Sequence, residues 1–327
     1  MLDSATLPAD WYFDPFLYEE ERRRIFGAEW LFVTPKSALS GSGEYVACSI
    51  AGWPLVLVND TGTVRGFHNV CRHRAGPLVI EAKGRCRSFV CRYHGWAYGL
   101  DGALRSARDF GCEVGDFGLW PVAVDTWRGL VFVNLNPSAP PLAGALRGFA
   151  AQCVEMPIEE LVFSHHVAHE IDANWKAYAD NYLEGYHIPL VHPGLNKEVD
   201  AGRYRVEVGE RWCRHSAPTR RGAVNEGLWV WRWPNLALNV YPDAMNIERY
   251  WPLGPTRTQI VYSYFFRDDI DDNVVAMSAA VLSEDRAICE AVQRNLEAGR
   301  YQTGFLSPRH EQAVAAFQGW VRHALGR

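Results

Sequence analysis

Residues 71–96 read CRHRAGPLVIEAKGRCRSFVCRYHGW. They hold two Cys-His pairs, Cys71/His73 and Cys91/His94, with residues 74–90 between them. Each pair offers one sulfur and one imidazole, at Cys-x-His and Cys-x2-His spacing, and each is followed by turn-forming residues, Gly76-Pro77 and Gly95-Trp96. Two loops of this kind can fold back tightly over a metal group. The choice lies between a structural clip and a redox centre.

Ligand chemistry separates the two. Structural zinc sites commonly draw on Cys-x2-4-Cys and His-x3-5-His, so that each loop supplies ligands of one kind. Here each loop supplies one of each, which suits two metals with different ligands: thiolates on one iron and imidazoles on the other, the Rieske form of a [2Fe-2S] centre. Zinc or a purely structural role stands as the alternative. Cys86, between the pairs, reads as a strand residue, and Cys48, Cys112, Cys153, Cys213 and Cys289 as core or surface thiols. Eight cysteines at irregular spacing in 327 residues do not make a secreted disulfide framework. A cytoplasmic location is therefore expected.

The composition is that of a folded chain with a large core, 48% hydrophobic with 13 Trp and 14 Tyr, and its length leads to an expectation of about two domains. The first residues, MLDSATLPADWYFD, have neither a basic n-region nor an apolar h-region, and no run of eighteen apolar residues follows, so neither leader nor membrane span is expected. A net charge of −5 with scattered Lys and Arg leaves no footprint for nucleic acid or anionic membrane.

From about Gly43 to Asn134, short apolar runs alternate with turn signals: YVACSI, PLVLVND-TG-TVRGFHNV, SFVCRYHGWAY and LVFVNLNP. This predicts a β-domain with the Cys-His pairs in its loops. NPSAPPLAG (136–144) marks a boundary. Beyond it, LVFSHHVAHEI reads as strand, NWKAYADNYLEGYH as helix, the aromatic runs between Trp229 and Phe266 as strands, and Asn273 to Ala298 as a long helix. The class is α+β. PFLYEEERRRIFGAEW, near the start, is helical in pattern.

A second constellation lies in NWKAYADNYLEGYHIPLVHP. Asp180, Glu184 and His187 fall at i, i+4 and i+7, one face of a helix. His192 follows five residues later, and Pro189 between them disfavours regular helix, so a break there brings both imidazoles within reach of one metal. The missing carboxylate is supplied by VLSEDRAICEAVQRNL, in which Val281, Asp285, Ile288, Val292 and Leu296 share an apolar stripe. An inward Asp285 must be paired, protonated or bound to metal. Glu284, off that stripe, reads as solvated. His187, His192 and Asp285 then form a 2-His-1-carboxylate triad, which leaves positions open on non-haem Fe(II).

With both constellations in view, the chain resembles the Rieske non-haem iron oxygenases. CRHR…CRYHGWAY looks like the family's cluster domain, NWK…DNYLEGYH…H like its iron-binding segment, and EDRAICEAVQ like the segment with the third ligand. Within the family it most resembles the branch with choline monooxygenase and the carnitine and glycine betaine oxygenases, through NYLEGYHIPLVHP, EDRAICEAVQ and RHEQAVAAFQGW. The resemblance implies an N-terminal all-β Rieske domain (40–148) and a C-terminal helix-grip catalytic domain, an antiparallel sheet flanked by helices (1–39 with 149–327). It implies a homotrimer arranged head to tail, in which Glu184 bridges His187 to His94 of the neighbouring copy. Glu184 stands where ring-hydroxylating dioxygenases usually carry Asp, a pointer to the same branch. Asp180, one turn earlier, is read as supporting Glu184 or a histidine, or as a structural residue.

No dinucleotide or P-loop signature and no second ferredoxin-like Cys motif is present. Electrons from NAD(P)H are therefore expected through a separate flavin/iron-sulfur reductase or a ferredoxin, with O2 as co-substrate. The small-molecule substrate is less legible. Trp229, Trp231, Trp233, Tyr241, Tyr250 or Trp251 can cage a quaternary ammonium by cation-π attraction, or simply pack in the core. The same aromatic density accommodates an aromatic acid paired with Arg232 or Arg249, which keeps aromatic ring hydroxylation and aromatic hydrocarbon catabolism as the alternative. A Rieske electron carrier without oxygenase activity leaves the residues after the linker without a task.

Overall fold

Strand pairing divides the chain into two units. The computed structural model describes residues 5–327. One unit comprises Phe26–Ala145; the other comprises the chain up to Ile25 together with Leu146–Arg327.

The first unit is built from β1 (Leu31–Pro35), β2 (Glu44–Ile50), β3 (Trp53–Asp60), β4 (Thr63–His68), β5 (Lys83–Arg85), β6 (Phe89–Val90), β7 (Ala97–Tyr98), β8 (Leu104–Ser106), β9 (Pro121–Trp127) and β10 (Leu130–Asn134). Seven strands form an antiparallel sheet in the order β1-β10-β9-β4-β3-β2-β5, and β6-β7-β8 form a small second sheet. The β3-β4 hairpin turns through Thr61 and Gly62, both at positive φ (49° and 101°), the type I′ geometry that matches strand twist. Leu55 to Val58 are fully buried in its central strand. The two Cys-His loops follow β4 and link β6 to β7, and they share a core with Phe67, Phe89, Trp96 and Tyr98.

The second unit contains α1 (Pro15–Glu21), α2 (Leu142–Gln152, which begins just before the division), β11 (Val162–Ile171), α3 (Trp175–Tyr182), the single turns α4 (Ile188–Val191) and α5 (Leu195–Glu198), β12 (Arg205–Val208), β13 (Trp212–Ser216), β14 (Leu228–Arg232), β15 (Leu236–Tyr241), β16 (Ala244–Gly254), β17 (Arg257–Phe266), α6 (Asp272–Glu297) and α7 (Gln312–Leu325). Its strands form one antiparallel sheet, β11-β17-β16-β15-β14-β13-β12. Alternation places Asn239 on β15 and Asn246 and Glu248 on β16 on the sheet face that receives α3 and α6: Tyr178 of α3 bonds Glu248, and Tyr241 bonds Ser278 of α6. This is the helix-grip arrangement. Caps fix the helix starts: Asn174 accepts from the Lys176 amide, and Asp271 from the Asn273 amide.

Two details depart from expectation. The helix through Asp180 stops at Tyr182, before Glu184 and His187, so those three do not share one helical face. Pro189 sits in the first turn of α4, where its missing N–H is harmless, and starts a turn where a break was expected. On α6 the buried positions are Val274, Ser278, Leu282, Asp285, Cys289, Gln293 and Leu296. Asp285 faces inward as expected, but Ile288 and Val292 are 39% and 42% exposed. Ser278 and Gln293 take inward positions because each finds a partner there, Tyr241 and the Asn174 amide respectively. Among the described residues, no helix is long and apolar enough to cross a membrane.

Candidate functional site

The two Cys-His loops close by the same backbone bonds. The amide of Cys71 donates to the Gly76 carbonyl (2.8 Å) and that of Ala75 to the Cys71 carbonyl (3.0 Å); the amides of Cys91 and Gly95 repeat this with Trp96 and Cys91 (2.9 Å each). The fourth residue after each cysteine takes positive φ, 55° at Ala75 and 74° at Gly95. A Cβ on Gly76 would lie 2.9 Å from the Cys91 sulfur, so glycine is required by that approach. The Cys71 and Cys91 thiols are buried neighbours, and burial is the first cause raising the Cys91 thiol pKa.

The His73 and His94 rings lie outside the thiols, partly exposed, with centroids 4.5 Å apart. His73 stacks on Trp96, and its Nδ1 is buried without a partner. Inner sulfurs, outer imidazoles and an orphaned ring nitrogen fit a two-iron cluster. A single tetrahedral zinc does not fit. Such an ion draws its ligand atoms together, yet among the described residues the one set of three or more His, Cys, Asp or Glu with ligand atoms all within 4.8 Å is His187, His192 and Asp285.

That second set lies in the other unit. His187 Nε2 is 3.0 Å from His192 Nε2, and Asp285 Oδ1 is 3.0 Å from His192 Nε2 and 3.8 Å from His187 Nε2. The opposite ring nitrogens are taken: His187 Nδ1 donates to Glu184 Oε1, and His192 Nδ1 to Glu284 Oε2 at 2.7 Å. With both Nδ1 protons so placed, two Nε2 lone pairs face each other, an arrangement that calls for a cation between them. Donor atoms at right angles around an ion at about 2.1 Å stand about 3.0 Å apart, which matches two of the three separations. Burial disfavours the charged form of His192, but Asp285 and Glu284 outweigh it and raise the pKa; the spot favours positive charge. These residues fit a mononuclear metal with an N2O donor set.

Glu184 also accepts from the amides of Tyr186 and His187, which pins the segment after α3. Gly185 lies under Tyr204, whose ring would be 2.7 Å from a Cβ there. Asn181 donates to Asp285 Oδ1 at 2.6 Å. Asp180 is engaged elsewhere: its oxygens accept from Tyr12 (2.6 Å) and Gln318 (3.1 Å), and burial raises its pKa to about 7. Glu284 was expected to be solvated and is instead bound to His192. An acid next to Asp285 on a helix carries no sequence mark of that role.

A narrow cavity opens from the triad toward the sheet. Tyr182, Leu195, Trp229, Val281 and Asp285 line both of its lobes. Of the expected cage residues, Trp229 and Tyr241 line it. Trp231, Trp233, Tyr250 and Trp251 are core: Trp231 and Trp233 pack on Phe317 and Trp320, and Trp231 Nε1 donates to Tyr250. Arg232 donates to the Trp233 carbonyl and Arg249 lies over Trp251; neither lines the lobes. Tyr178, Tyr182, Tyr262 and Glu248 line the cavity and escaped the sequence reading, since alternation along a strand does not say which face meets a helix.

Both halves of the chain have counterparts among known families. Residues 29–123 match the Rieske [2Fe-2S] domain, and residues 158–220 and 205–327 match the ring hydroxylating alpha subunit, catalytic domain. The chain belongs to the Rieske non-haem iron oxygenases, as an oxygenase (alpha) component. It is 31% identical to the carnitine monooxygenase oxygenase subunit of Escherichia coli (strain K12) over 328 residues, 92% of this chain and 86% of the relative. It is 29% identical over 345 residues to the chloroplastic choline monooxygenase of Atriplex hortensis, covering 99% and 78%. A solved quaternary ammonium Rieske monooxygenase matches with a TM-score of 0.90 at 26% identity, over 98% of this chain and 95% of that one. The protein is thus an oxidoreductase of the Rieske type, with a [2Fe-2S] cluster, mononuclear iron, O2 as co-substrate and NAD(P)H electrons delivered by a separate reductase. The names of these relatives are of quaternary amines and lend no support to aromatic hydrocarbon catabolism.

Proposed function

We propose that this chain is the terminal oxygenase of a system that hydroxylates or oxidatively demethylates a small quaternary amine. The carrying observation is the facing pair of Nε2 atoms on His187 and His192, closed by Asp285 beside a small aromatic cavity. In this reading Cys71 and Cys91 hold the inner iron of the cluster and His73 and His94 the outer one, while His187, His192 and Asp285 hold the mononuclear iron. The cluster-bearing domain is built on residues 40–148, to which Leu31–Pro35 adds a strand, and the flanking segments form the iron-bearing domain. When bound, these groups supply the stepwise reduction of dioxygen that oxidation of a C–H bond requires.

The chain's own residues set the geometry. Glu184 and Glu284 fix the tautomers of His187 and His192, and Asn181 orients Asp285. Leu195 and Val281 give the cavity apolar walls. Asp180 anchors α3 through Tyr12 and Gln318, four residues before Glu184. In a homotrimer, Glu184 also reaches His94 of a neighbouring copy and couples the cluster to the iron. A flavin/iron-sulfur reductase or ferredoxin docks to deliver electrons, in the cytoplasm, where the cysteine thiols stay reduced.

Metal and sulfide analysis of the purified protein tests this reading. About three irons and two acid-labile sulfides per chain are expected; two and two would leave an electron carrier, and none would overturn both assignments. Glu184→Gln is expected to keep this content, and a trimer by light scattering, yet lose oxygen uptake with a surrogate reductase. Full uptake in that variant removes the bridge. Uptake stimulated by aromatic acids alone, and by no quaternary amine, rejects the substrate class.

A further inference from the structure

We propose that Glu248 is the anionic seat for the substrate's ammonium group, and that the cavity takes cationic quaternary amines without a carboxylate in preference to betaine-type zwitterions. The inference rests on the oxygenase reading above and goes further, to the charge of the substrate.

Glu248 lies on the inner face of β16 and is 2% exposed. Its Oε1 accepts from the Tyr178 hydroxyl (2.6 Å) and its Oε2 from Asn239 Nδ2 (3.3 Å), both neutral donors. A buried carboxylate is costly unless a cation meets it. Among the described residues lining the two lobes there is no Lys or Arg. Burial raises the Glu248 pKa to about 7, as befits an acid without a positive neighbour.

A second acceptor stands two residues away on the same face. Asn246 is 1% exposed, and its Oδ1 has no partner, while its Nδ2 donates to Ser278 at 3.3 Å. Three nearby tyrosine hydroxyls are committed. Tyr182 donates to Asn239 Oδ1 (2.6 Å), Tyr262 bonds Tyr178, and Tyr241 donates to Ser278 Oγ (3.0 Å), whose own proton goes to the Val274 carbonyl. The deep lobe is therefore lined by a carboxylate residue, an Asn whose buried amide oxygen has no partner, and the rings of Tyr178, Tyr182, Tyr241, Tyr262 and Trp229.

That combination selects by charge. A quaternary ammonium carries no N–H, so it neither needs nor competes for hydrogen bonds; the carboxylate and the ring faces attract its charge directly. A substrate carboxylate would meet Glu248, Asp285 and Asn246 Oδ1, with no Arg or Lys in the lining to receive it, whereas a substrate hydroxyl has Asn246 Oδ1 as acceptor. The lobes, about 70 and 60 Å³, share five lining residues and are each small, which suits a compact amine.

Calorimetric titration of the iron-loaded enzyme, without reductase, tests the inference with choline, tetramethylammonium, the neutral isostere 3,3-dimethyl-1-butanol, glycine betaine and L-carnitine. Choline and tetramethylammonium are expected to bind roughly ten-fold or more tighter than the isostere and both zwitterions. Glu248→Gln should remove that margin for the cations, leave the isostere unchanged and retain iron. Equal binding of the isostere and choline, or tighter binding of glycine betaine or L-carnitine, overturns the inference even if the variant does not fold. Oxygen uptake separates the two levels: uptake with a zwitterion and not choline keeps the quaternary-amine reading and discards this one, whereas no uptake with any amine discards the quaternary-amine reading on which it rests, and missing iron discards the metal assignments.

Discussion

Glu284 accepts a hydrogen bond from Nδ1 of His192 at 2.7 Å, and through that bond it decides which nitrogen of the histidine is left for a metal. Glu284→Ala is expected to lower iron affinity by roughly 10–100-fold, the usual effect of removing such a support. Glu284→Gln keeps an oxygen acceptor and should lose less. Competition titrations with a ferrous chelator measure both, and wild-type affinity in the Ala variant would falsify the role.

Tyr98 bears on the cluster in a comparable way. Its hydroxyl accepts from the Arg72 amide (3.1 Å), so its proton is directed at the Cys71 sulfur (3.3 Å). A donor to sulfur favours the more electron-rich, reduced cluster. Tyr98→Phe should therefore lower the reduction potential, on the order of tens of millivolts, in a titration followed by electron paramagnetic resonance. An unchanged or raised potential would show that the hydroxyl is not coupled to the cluster.

Lys176 and Glu21 form a fully buried pair at 2.5 Å, and Trp175 Nε1 completes the carboxylate at 2.8 Å. Burial lowers the Lys176 pKa, against the opposing pull of Glu21. Removing either partner leaves the other charge uncompensated, so Lys176→Met or Glu21→Gln alone should destabilise by about 3–5 kcal/mol. The double variant should lose less than the two losses combined. Urea denaturation of the four proteins gives the comparison; strict additivity would show that the pair is not coupled.

Asp180 gives the stability a slope in pH. Burial raises its folded pKa to about 7, from about 3.9 in an unfolded chain. The folded state holds the proton more tightly, so this contribution is complete below about pH 4 and is lost as pH rises to about 7. Asp180→Asn has no such proton. The urea midpoint of the wild type, relative to that variant, should fall across this window; a constant difference would mean that Asp180 titrates alike in both states.

The two mixed Cys-His pairs could be picked out as a candidate cluster site because their spacing differs from the usual zinc patterns. The grouping of His187, His192 and Asp285 was legible in part for a wrong reason. Asp285 does face inward, but Ile288 and Val292 of the stripe used to place it are exposed, and the true stripe includes Ser278 and Gln293, which periodicity of apolar residues passes over. The sequence reads as helix through His187 because YLEGYH contains no strong breaker except Gly185, whose demand comes from Tyr204, nineteen positions on. Glu248, Asn246 and Tyr262 stayed hidden because their importance lies in what they face across a cavity, a relation between strands and helices far apart in sequence.

The buried pair also carries a timing consequence during synthesis. Glu21 and Lys176 are 155 residues apart, and the whole of Phe26–Ala145 is threaded between them. At roughly 5–20 residues per second, Glu21 leaves the ribosome about 8–30 s before its lysine. The inserted β unit has its full sequence in that interval, while α1 waits without its partner. Stalled chains ending before Trp175 should accordingly protect 26–145 from protease and leave the segment before Ile25 open to cleavage; protection of that segment would mean that α1 docks without Lys176.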